Sequence, residues 1–244
     1  MPLHAYVLCI AEAAGFVEGP DAGTTLDSFA ALNGGQAATT RDTADVAVLL
    51  VAELDKDTCG IGYINSIAAG KTLSTVKKVC AWSFYTVGHE IGHNIGLDHD
   101  PANAVIRPYP YATGHLIEGS GDGGDDGSDA ASGDDDEDEE EKSPGFRTIM
   151  AYSAKGHETR VNYYSNPNVL FLETRTPTGV EMSNNAMVLL KNRFRLAEVG
   201  DESSLQCQDG NSDQDYYNGD DSDDDDDDDD SEYDAAVVPE YVYQ

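Results

Sequence analysis

The spacing of three histidines constrains this 244-residue chain more than any other feature of its sequence. His89 and His93 are four residues apart, and Glu90 directly follows the first of them. Residues four apart lie one turn apart on the same face of an α-helix, so the two imidazoles can bind one Zn²⁺ together. Gly96 can end that helix in a left-handed conformation, and His99 would then return to the metal as its third ligand. Three histidines leave one coordination position open, which is typical of a catalytic zinc site and not of a structural one.

Glu90 is the candidate general base, because it lies on the same helical turn as the first ligand without being needed as a ligand itself. Its carboxylate can take a proton from a zinc-bound water as that water attacks a carbonyl carbon. The alternative is a helix that carries three histidines for no common purpose, but the chain has only 6 histidines and half of them fall here. The pattern therefore predicts one catalytic Zn²⁺ and a hydrolytic reaction.

The arrangement H-E-x-x-H-x-x-G-x-x-H resembles the signature of the metzincin zinc proteases. Flanking segments are similar to the reprolysin- or adamalysin-like branch, close to the microbial peptidyl-Asp metalloendopeptidases. These segments are residues 41–45 (RDTAD), 59–63 (CGIGY), 147–152 (RTIMAY), 164–169 (YSNPNV) and 177–180 (PTGV), together with Cys80 before the zinc helix. The resemblance runs over about residues 4–199 and implies an endopeptidase that hydrolyses extended protein or peptide substrates.

The resemblance also implies roles for single residues. Met150 would lie beneath the zinc in a tight Met-turn, where a methionine is otherwise most often a core filler. Asp100, directly after the third histidine, would be structural, with a charged surface residue as the alternative. Tyr152 would either donate a hydrogen bond to the developing oxyanion or pack as an ordinary aromatic side chain.

The cysteines bear on the compartment of the protein. Family likeness pairs Cys59 with Cys80 in a disulfide, which is typical of a secreted or vesicular protein. Cys9 is interpreted as a buried thiol, and Cys207 is left unassigned. No signal peptide is visible, because residues 1–4 contain no Lys or Arg to form a basic n-region and the short apolar stretch that follows suits a strand. Relatives begin with a further strand and helix, so we expect these two elements, and a signal peptide, to be missing here.

Hydrophobic patterning predicts an α/β (α+β) domain with a small twisted mixed sheet, a long zinc helix, the Met-turn and a C-terminal helix. Buried strands are predicted at residues 4–11 and 45–52, a sheet edge or bulge at 59–63, and a short edge strand at 74–79. Helices are predicted at residues 24–32, 81–95 and 183–199. The last helix would begin with Ser183 as N-cap and carry an apolar stripe of Met187, Leu190, Phe194 and Ala197.

The formal net charge of −33 is concentrated in two segments. Residues 118–141 include 13 acidic residues and residues 201–244 include 18, whereas the rest of the chain is nearly neutral. Such segments have too few apolar side chains to fold alone. We therefore predict a catalytic domain at residues 1–200 with a disordered acidic insertion at 118–142, and a disordered acidic tail at 201–244. The insertion should leave and re-enter the domain across a hairpin flanked by residues 111–116 and 144–147.

Two other functions are left open by the sequence. The first is an inactive metzincin-like interaction module. The second is an acidic protein whose aspartate runs bind Ca²⁺ loosely or associate with mineral. Nucleic acid is disfavoured as a partner, because no basic patch stands out and the net charge repels phosphate. No apolar run reaches the 18 residues or so that a membrane span needs, and we expect a monomer.

Overall fold

The computed structural model describes residues 10, 13, 15–32, 44–119, 145–154 and 158–199. All of these except Ile10 belong to one compact unit, Ala13–Leu205. The predicted strand at 4–11, Cys9, Cys207, the acidic tail and most of the acidic insertion lie outside the described residues, so the expectations about them, and the domain boundaries, stay predictions. No helix in the described ranges is long and apolar enough to cross a membrane.

A helix packed on a three-stranded sheet forms the first part of the domain. Helix α1 (Ala22–Ala31) begins after Asp21, whose side chain accepts a hydrogen bond from the Thr24 backbone N–H at 2.7 Å. Strand β1 (Ala47–Val51) pairs in parallel with β3 (Leu73–Lys77), and β2 (Gly60–Gly62) pairs antiparallel with the other side of β3. The helix and the sheet bury a shared core cluster of Leu26, Phe29, Leu49, Val51 and Leu73.

Strand β3 lies in the centre of this sheet, so the prediction of an edge strand at 74–79 is wrong in its position. Its parallel pairing with β1 places strands on both sides of it, and its first four residues are buried. The chain leaves the strand at Lys77 and continues directly into a helix. The sheet edge is β2, as predicted for residues 59–63.

The zinc helix is not continuous from residue 81, as predicted, but is divided into α2 (Lys78–Ser83) and α3 (Thr86–Ile95). Tyr85 between them has a left-handed backbone with φ of 54°, which interrupts the helix. The side chain of Arg160 donates a hydrogen bond to the Phe84 carbonyl oxygen at 2.8 Å, so a partner distant in sequence satisfies the interrupted turn. Because this stretch contains no proline or glycine, no local signal in the sequence marks the break.

The part of the domain below the zinc helix is made of short strands and long connections. Strand β4 (Leu116–Ile117) pairs antiparallel with β5 (Phe146–Arg147), which pairs in parallel with β6 (Thr159–Arg160). The β4–β5 pairing confirms the predicted hairpin at the base of the acidic insertion. A second hairpin joins β7 (Leu170–Phe171) to β8 (Thr176–Pro177), and a 3₁₀ turn spans Ile67–Ala69.

The last helix, α4 (Asn185–Leu196), differs from its prediction at both its start and its buried face. Its N-cap is Asn184, whose side chain accepts a hydrogen bond from the Met187 backbone N–H, whereas the Ser183 hydroxyl pairs with that of Thr113 at 3.0 Å. The predicted apolar stripe is exposed, and the buried side chains are Asn185, Val188, Asn192 and Leu196.

Two buried asparagines explain why the buried face of α4 differs from the predicted one. The Asn192 amide donates to the Ile95 carbonyl oxygen at the end of α3 and accepts a hydrogen bond from the Tyr109 hydroxyl at 2.9 Å. The Asn185 amide donates to the Ala112 carbonyl oxygen at 2.9 Å. These polar side chains are buried because they satisfy backbone carbonyls, so hydrophobicity alone pointed to the wrong face. The predicted mixed α/β class, with small mixed sheets and several helices, is confirmed.

Candidate metal centre and active site

The three predicted zinc ligands lie together at the end of helix α3. His89 and His93 are one turn apart on the helix, and their candidate ligand atoms and that of His99 all lie within 4.8 Å of one another. Gly96 has a φ of 108° and ends the helix, because a residue without a Cβ takes this left-handed conformation without strain. The turn brings His99 back towards the helix, with its Nε2 atom 3.0 Å from Nε2 of His93.

Hydrogen bonds to backbone carbonyls fix the ring orientation and the tautomer of two of the imidazoles. Nδ1 of His89 lies 2.8 Å from the Ile149 carbonyl oxygen, and Nδ1 of His93 lies 3.0 Å from that of Leu97. A carbonyl oxygen only accepts, so each Nδ1 carries the hydrogen and each Nε2 keeps a free lone pair. Burial lowers the pKa of all three histidines, that of His93 to about 4, so the rings are neutral at pH 7. Three neutral imidazole nitrogens that face one point are a donor set that suits Zn²⁺.

Asp98, which sequence reasoning did not single out, holds the loop that carries the third histidine. Its fully buried carboxylate accepts hydrogen bonds from the backbone N–H groups of Val105, Ile106 and Arg107 at 2.8–3.0 Å, and from that of His99 at 2.8 Å. Burial by itself would raise the pKa of Asp98, but these backbone hydrogen bonds outweigh it and lower the pKa below its usual value.

Asp100 connects the same loop to the chain after Met150. One carboxylate oxygen accepts a hydrogen bond from the Tyr152 backbone N–H at 3.1 Å, and the other accepts from the Ala102 N–H at 3.1 Å. The side chain amide of Asn103 donates to both oxygens. The Asp100 side chain is buried and its acceptors are occupied, so it is not a charged surface residue. Its structural role stays a prediction.

Met150 lies in a tight turn directly against the zinc helix. The turn is closed by a hydrogen bond from the Ala151 N–H to the Thr148 carbonyl oxygen at 2.9 Å, and the Met150 side chain is fully buried. A Cβ atom at Gly92 would lie only 2.6 Å from Met150 Sδ, so the glycine in the zinc motif leaves the space that the methionine occupies. The preceding residue, Ile149, supplies the carbonyl that orients His89.

Glu90 lines a cavity of about 240 Å³ beside the three histidines. Its side chain is 4 % exposed, and no hydrogen bond to its carboxylate is found among the described residues. Burial raises the pKa of Glu90 to about 8, although the nearby Arg160 guanidinium favours the charged form. A Cβ atom at Gly60 would lie 2.6 Å from Glu90 Oε1, so the sheet edge approaches the carboxylate as closely as a glycine permits. The cavity lining is Asp57, Thr58, Cys59, Gly60, Thr86, His89, Glu90, Tyr152 and Arg160.

Tyr152 lies at the same cavity, with its ring centroid 4.1 Å from that of His99. The side chain is 43 % exposed, so it is not packed as a core aromatic residue. Burial, followed by the charge of Glu90, raises the pKa of its hydroxyl, which therefore keeps its proton at neutral pH. The ring contact with His99 does not prevent the hydroxyl from donating a hydrogen bond, and the role of Tyr152 as an oxyanion donor stays a prediction.

A disulfide joins Cys59 to Cys80, with Cα atoms 5.5 Å apart. Cys59 precedes the edge strand β2 and Cys80 lies in α2, so the bond ties the sheet edge to the helix that leads into the zinc helix. All cysteines in the described part of the chain are accounted for by this bond.

The motif predicted the histidines and Glu90, but three neighbours had no comparable signal. Arg160 lies 70 residues beyond Glu90, and Asp98 is one acidic residue among many in this sequence. Gly60 falls in a segment that the family likeness singled out, although its close approach to a carboxylate depends on tertiary packing.

Comparison with known proteins places this geometry in a family. A reprolysin model of metallo-peptidase family M12 matches residues 13–165. A peptidyl-Asp metalloendopeptidase of Stenotrophomonas maltophilia (strain K279a) is 30 % identical over 167 residues, which are 65 % of this chain and 33 % of that protein. The zinc metalloproteinase barnettlysin-1 of Bothrops barnetti is 27 % identical over 102 residues, which are 40 % of this chain and 50 % of the relative.

The similarity to solved structures concerns the fold alone. One chain of a chaperone–substrate complex superposes with a TM-score of 0.50 at 17 % identity, over 74 % of this chain and 25 % of that one. The chain spans about a third of the length of the Stenotrophomonas relatives that it matches. The family model covers the sheet, the zinc helix and the Met150 turn, and the chain therefore belongs to metallo-peptidase family M12, the metzincin-like zinc metalloproteases.

Proposed function

We propose that this chain is the catalytic part of a zinc metalloendopeptidase, with His89, His93 and His99 as the zinc ligands and Glu90 as the general base. One observation carries the proposal. Three neutral imidazoles present Nε2 to a common point, and the carboxylate on the adjoining helical turn faces the same cavity without a hydrogen-bond partner among the described residues. A structural metal site would not need a buried and unengaged carboxylate next to it.

The chemistry divides between the ion and the chain. When bound, Zn²⁺ supplies Lewis-acid polarisation of a carbonyl group and makes water more acidic, towards a pKa of about 7. Glu90 accepts the proton of the attacking water and returns it to the leaving amine. The Tyr152 hydroxyl, protonated and at the cavity, is positioned as a donor to the oxygen on which charge develops.

The substrate would be an extended polypeptide. Strand β2 is an edge strand of the described sheet and Gly60 lines the cavity, and a peptide can add to a sheet edge through main-chain hydrogen bonds. The Stenotrophomonas relatives are named for peptidyl-aspartate, so an aspartate-containing peptide is the first substrate to try. The Cys59–Cys80 disulfide supports a secreted or vesicular compartment. We keep the expectation of a monomer and assign no role to Ca²⁺.

Glu90→Gln tests the proposal against metal content. The full-length protein is expressed in an oxidising compartment, its zinc is counted by elemental analysis, and hydrolysis of blocked internal peptides is followed with and without a chelator. We expect about one Zn²⁺ per chain in both proteins, and a loss of nearly all activity only in Glu90→Gln. His93→Ala is the control variant for Glu90→Gln, and it should lose both the metal and the activity.

The rival functions give different results in the same experiment. An inactive interaction module would bind zinc and cleave no peptide in the unmodified protein. A Glu90→Gln protein that loses zinc would mean that the carboxylate is a ligand, and one that keeps its activity would remove Glu90 from the mechanism.

A further inference from the structure

A second charged side chain, Arg160, lines the same cavity as Glu90. It follows Thr159 in strand β6. Its guanidinium contacts the break between α2 and α3 on one side and the Met150 turn on the other. Nη1 donates to the Phe84 carbonyl oxygen at 2.8 Å, and Nη2 donates to the Ala151 carbonyl oxygen at 3.3 Å. Nε is buried and has no hydrogen-bond partner in the part of the chain that the structure describes.

Among the described residues, no ion pair balances the charge of Arg160. An arginine offers five N–H donors, and only two accepted hydrogen bonds from this side chain are found among the described residues, both to neutral carbonyls. No carboxylate in those ranges lies within ion-pair distance of the guanidinium. The exposed Asp57 also lines the cavity, yet it does not pair with Arg160.

A second cation makes the imbalance larger. Arg147 donates to the same Ala151 carbonyl oxygen at 3.0 Å, so two guanidinium groups converge on one acceptor. Burial, and then repulsion by Arg147, lowers the pKa of Arg160 to about 10, which leaves it cationic at neutral pH. Glu90 is near enough to favour the charged form of Arg160 but does not form an ion pair with it among the described residues. A partly buried cation without such a partner is costly, and an anionic ligand would supply one.

We propose that Arg160 is the specificity-determining residue of the cavity, and that it binds a carboxylate of the substrate next to the scissile bond. This inference rests on the proposed function, since it takes the cavity beside Glu90 as the peptide site. Guanidinium groups bind carboxylates through paired, charge-assisted hydrogen bonds, and Arg160 has unused donors for this. The carboxylate comes from an acidic side chain or from the C-terminus of the peptide, and the two sources can be separated.

The test uses internally quenched peptides that differ in one group. One pair has Asp or Asn next to the scissile bond with both ends blocked, and the other pair is neutral with a free or an amidated C-terminus. We expect the full-length protein to favour the Asp peptide over the Asn peptide by about 10- to 100-fold in kcat/KM, the range for hydrogen bonds to a charged group. Arg160→Gln should bring this ratio close to one, because it should slow cleavage of the Asp peptide far more than cleavage of the Asn peptide.

Two further variants separate recognition from support of the fold. Arg160→Lys keeps the charge but loses the paired geometry, so it should retain part of the discrimination. Arg147→Gln removes a hydrogen bond to the same carbonyl from a side chain that does not line the cavity, and it should keep the Asp to Asn ratio within about 3-fold. Discrimination by the free C-terminus, lost in Arg160→Gln, would also support the inference and would identify the terminal carboxylate as the source.

The inference is overturned if Arg160→Gln slows both peptides of each pair equally, or if it leaves both ratios unchanged. Binding keeps this failure distinct from a failure of the proposed function. In the Glu90→Gln background, fluorescence anisotropy should show at least about 10-fold tighter binding of the Asp peptide or of the free-terminus peptide, and Arg160→Gln should abolish that difference. If this binding is found but the protein with Glu90 intact cleaves no peptide, the proposed protease function is refuted. Arg160 then remains a carboxylate-recognition residue.

Discussion

The contact between Gly92 and Met150 gives a stability prediction with an internal control. Helix α3 contains two glycines, Gly88 and Gly92, and replacement by alanine should affect them in opposite directions. An added Cβ at Gly88 would meet its nearest neighbour at 3.6 Å, an ordinary van der Waals contact. An added Cβ at Gly92 would lie 2.6 Å from Met150 Sδ and 3.1 Å from Leu97 Cδ1.

The magnitudes follow from two opposing effects. Alanine in place of glycine within a helix is worth about 1 kcal/mol, and Gly88→Ala should gain most of this. At Gly92 the sulfur must withdraw by about 1 Å to restore a normal contact, but the Met150 and Leu97 side chains are fully buried and have little room to move. Overpacking costs about 1–3 kcal/mol, and two fully buried neighbours place this site in the upper part of that range, at about 2–3 kcal/mol. Gly92→Ala should therefore be destabilising by about 1–2 kcal/mol after the helical gain is subtracted.

Urea unfolding of the disulfide-intact protein measures the difference. With an m-value of about 2 kcal/mol/M, the midpoints of the two variants should differ by about 1 M, with Gly88→Ala above the unmodified protein and Gly92→Ala below it. Because Ile149 precedes Met150 and orients His89, Gly92→Ala should also weaken zinc binding.

A double-mutant cycle tests the cause. In a Met150→Ala background the added Cβ has space, so Gly92→Ala should become neutral or stabilising, with a coupling of about 1–3 kcal/mol. If Gly92→Ala raises the urea midpoint as Gly88→Ala does, or if its cost persists without Met150, the methionine does not occupy the space beside Gly92 and the assignment of the turn is wrong.

Three further predictions concern the metal loop, the pH dependence and the acidic insertion. Asp98→Ala leaves the backbone N–H groups of Val105, Ile106 and Arg107 without their carboxylate acceptor, so the free energy of unfolding should fall by about 2 kcal/mol in urea titrations and zinc affinity should fall with it. Metal-free Glu90→Gln protein should lose stability as the pH falls from about 6.5 towards about 4, since His93 is protonated in the unfolded chain but not in the folded one; a flat urea midpoint across this window would contradict the histidine burial. Replacement of residues 119–141 by a short Gly-Ser linker should preserve zinc binding and activity, and should mainly reduce the salt dependence of kcat/KM for charged peptides; a protein that no longer folds would show that the segment is structural.

The zinc site was predictable from sequence because its geometry is mostly local. The spacing of His89 and His93 fixes their common face, and Gly96 fixes the turn that returns His99. Strands 45–52 and 59–63 were predictable for the same reason, since apolar runs and glycine spacing report directly on burial and on sheet edges. These elements need little information from distant parts of the chain.

The rest could not be predicted because it depends on partners that are distant in sequence. The break before α3 is satisfied by Arg160, 76 residues beyond the Phe84 carbonyl that it binds. The buried face of α4 is set by asparagines that bind backbone carbonyls at Ile95 and Ala112, 97 and 73 residues away. In each case a polar side chain is buried to satisfy a carbonyl group, and a hydrophobicity pattern assigns such a residue to the surface.

The β4–β5 hairpin shows how a strongly acidic insertion can be accommodated next to a metal site. Leu116 pairs with Arg147 and Ile117 with Phe146, so the chain leaves and returns at adjacent positions of one small sheet. A Cβ atom at Gly145 would lie 2.3 Å from the Gly119 backbone nitrogen, which shows how closely the two ends approach. Since the entropy of closing a loop grows only slowly with its length, extra residues between these ends add little cost. Because of the hairpin, the insertion can vary in length without moving the Met150 turn. The position of that turn is set by its contacts with Gly92 and His115.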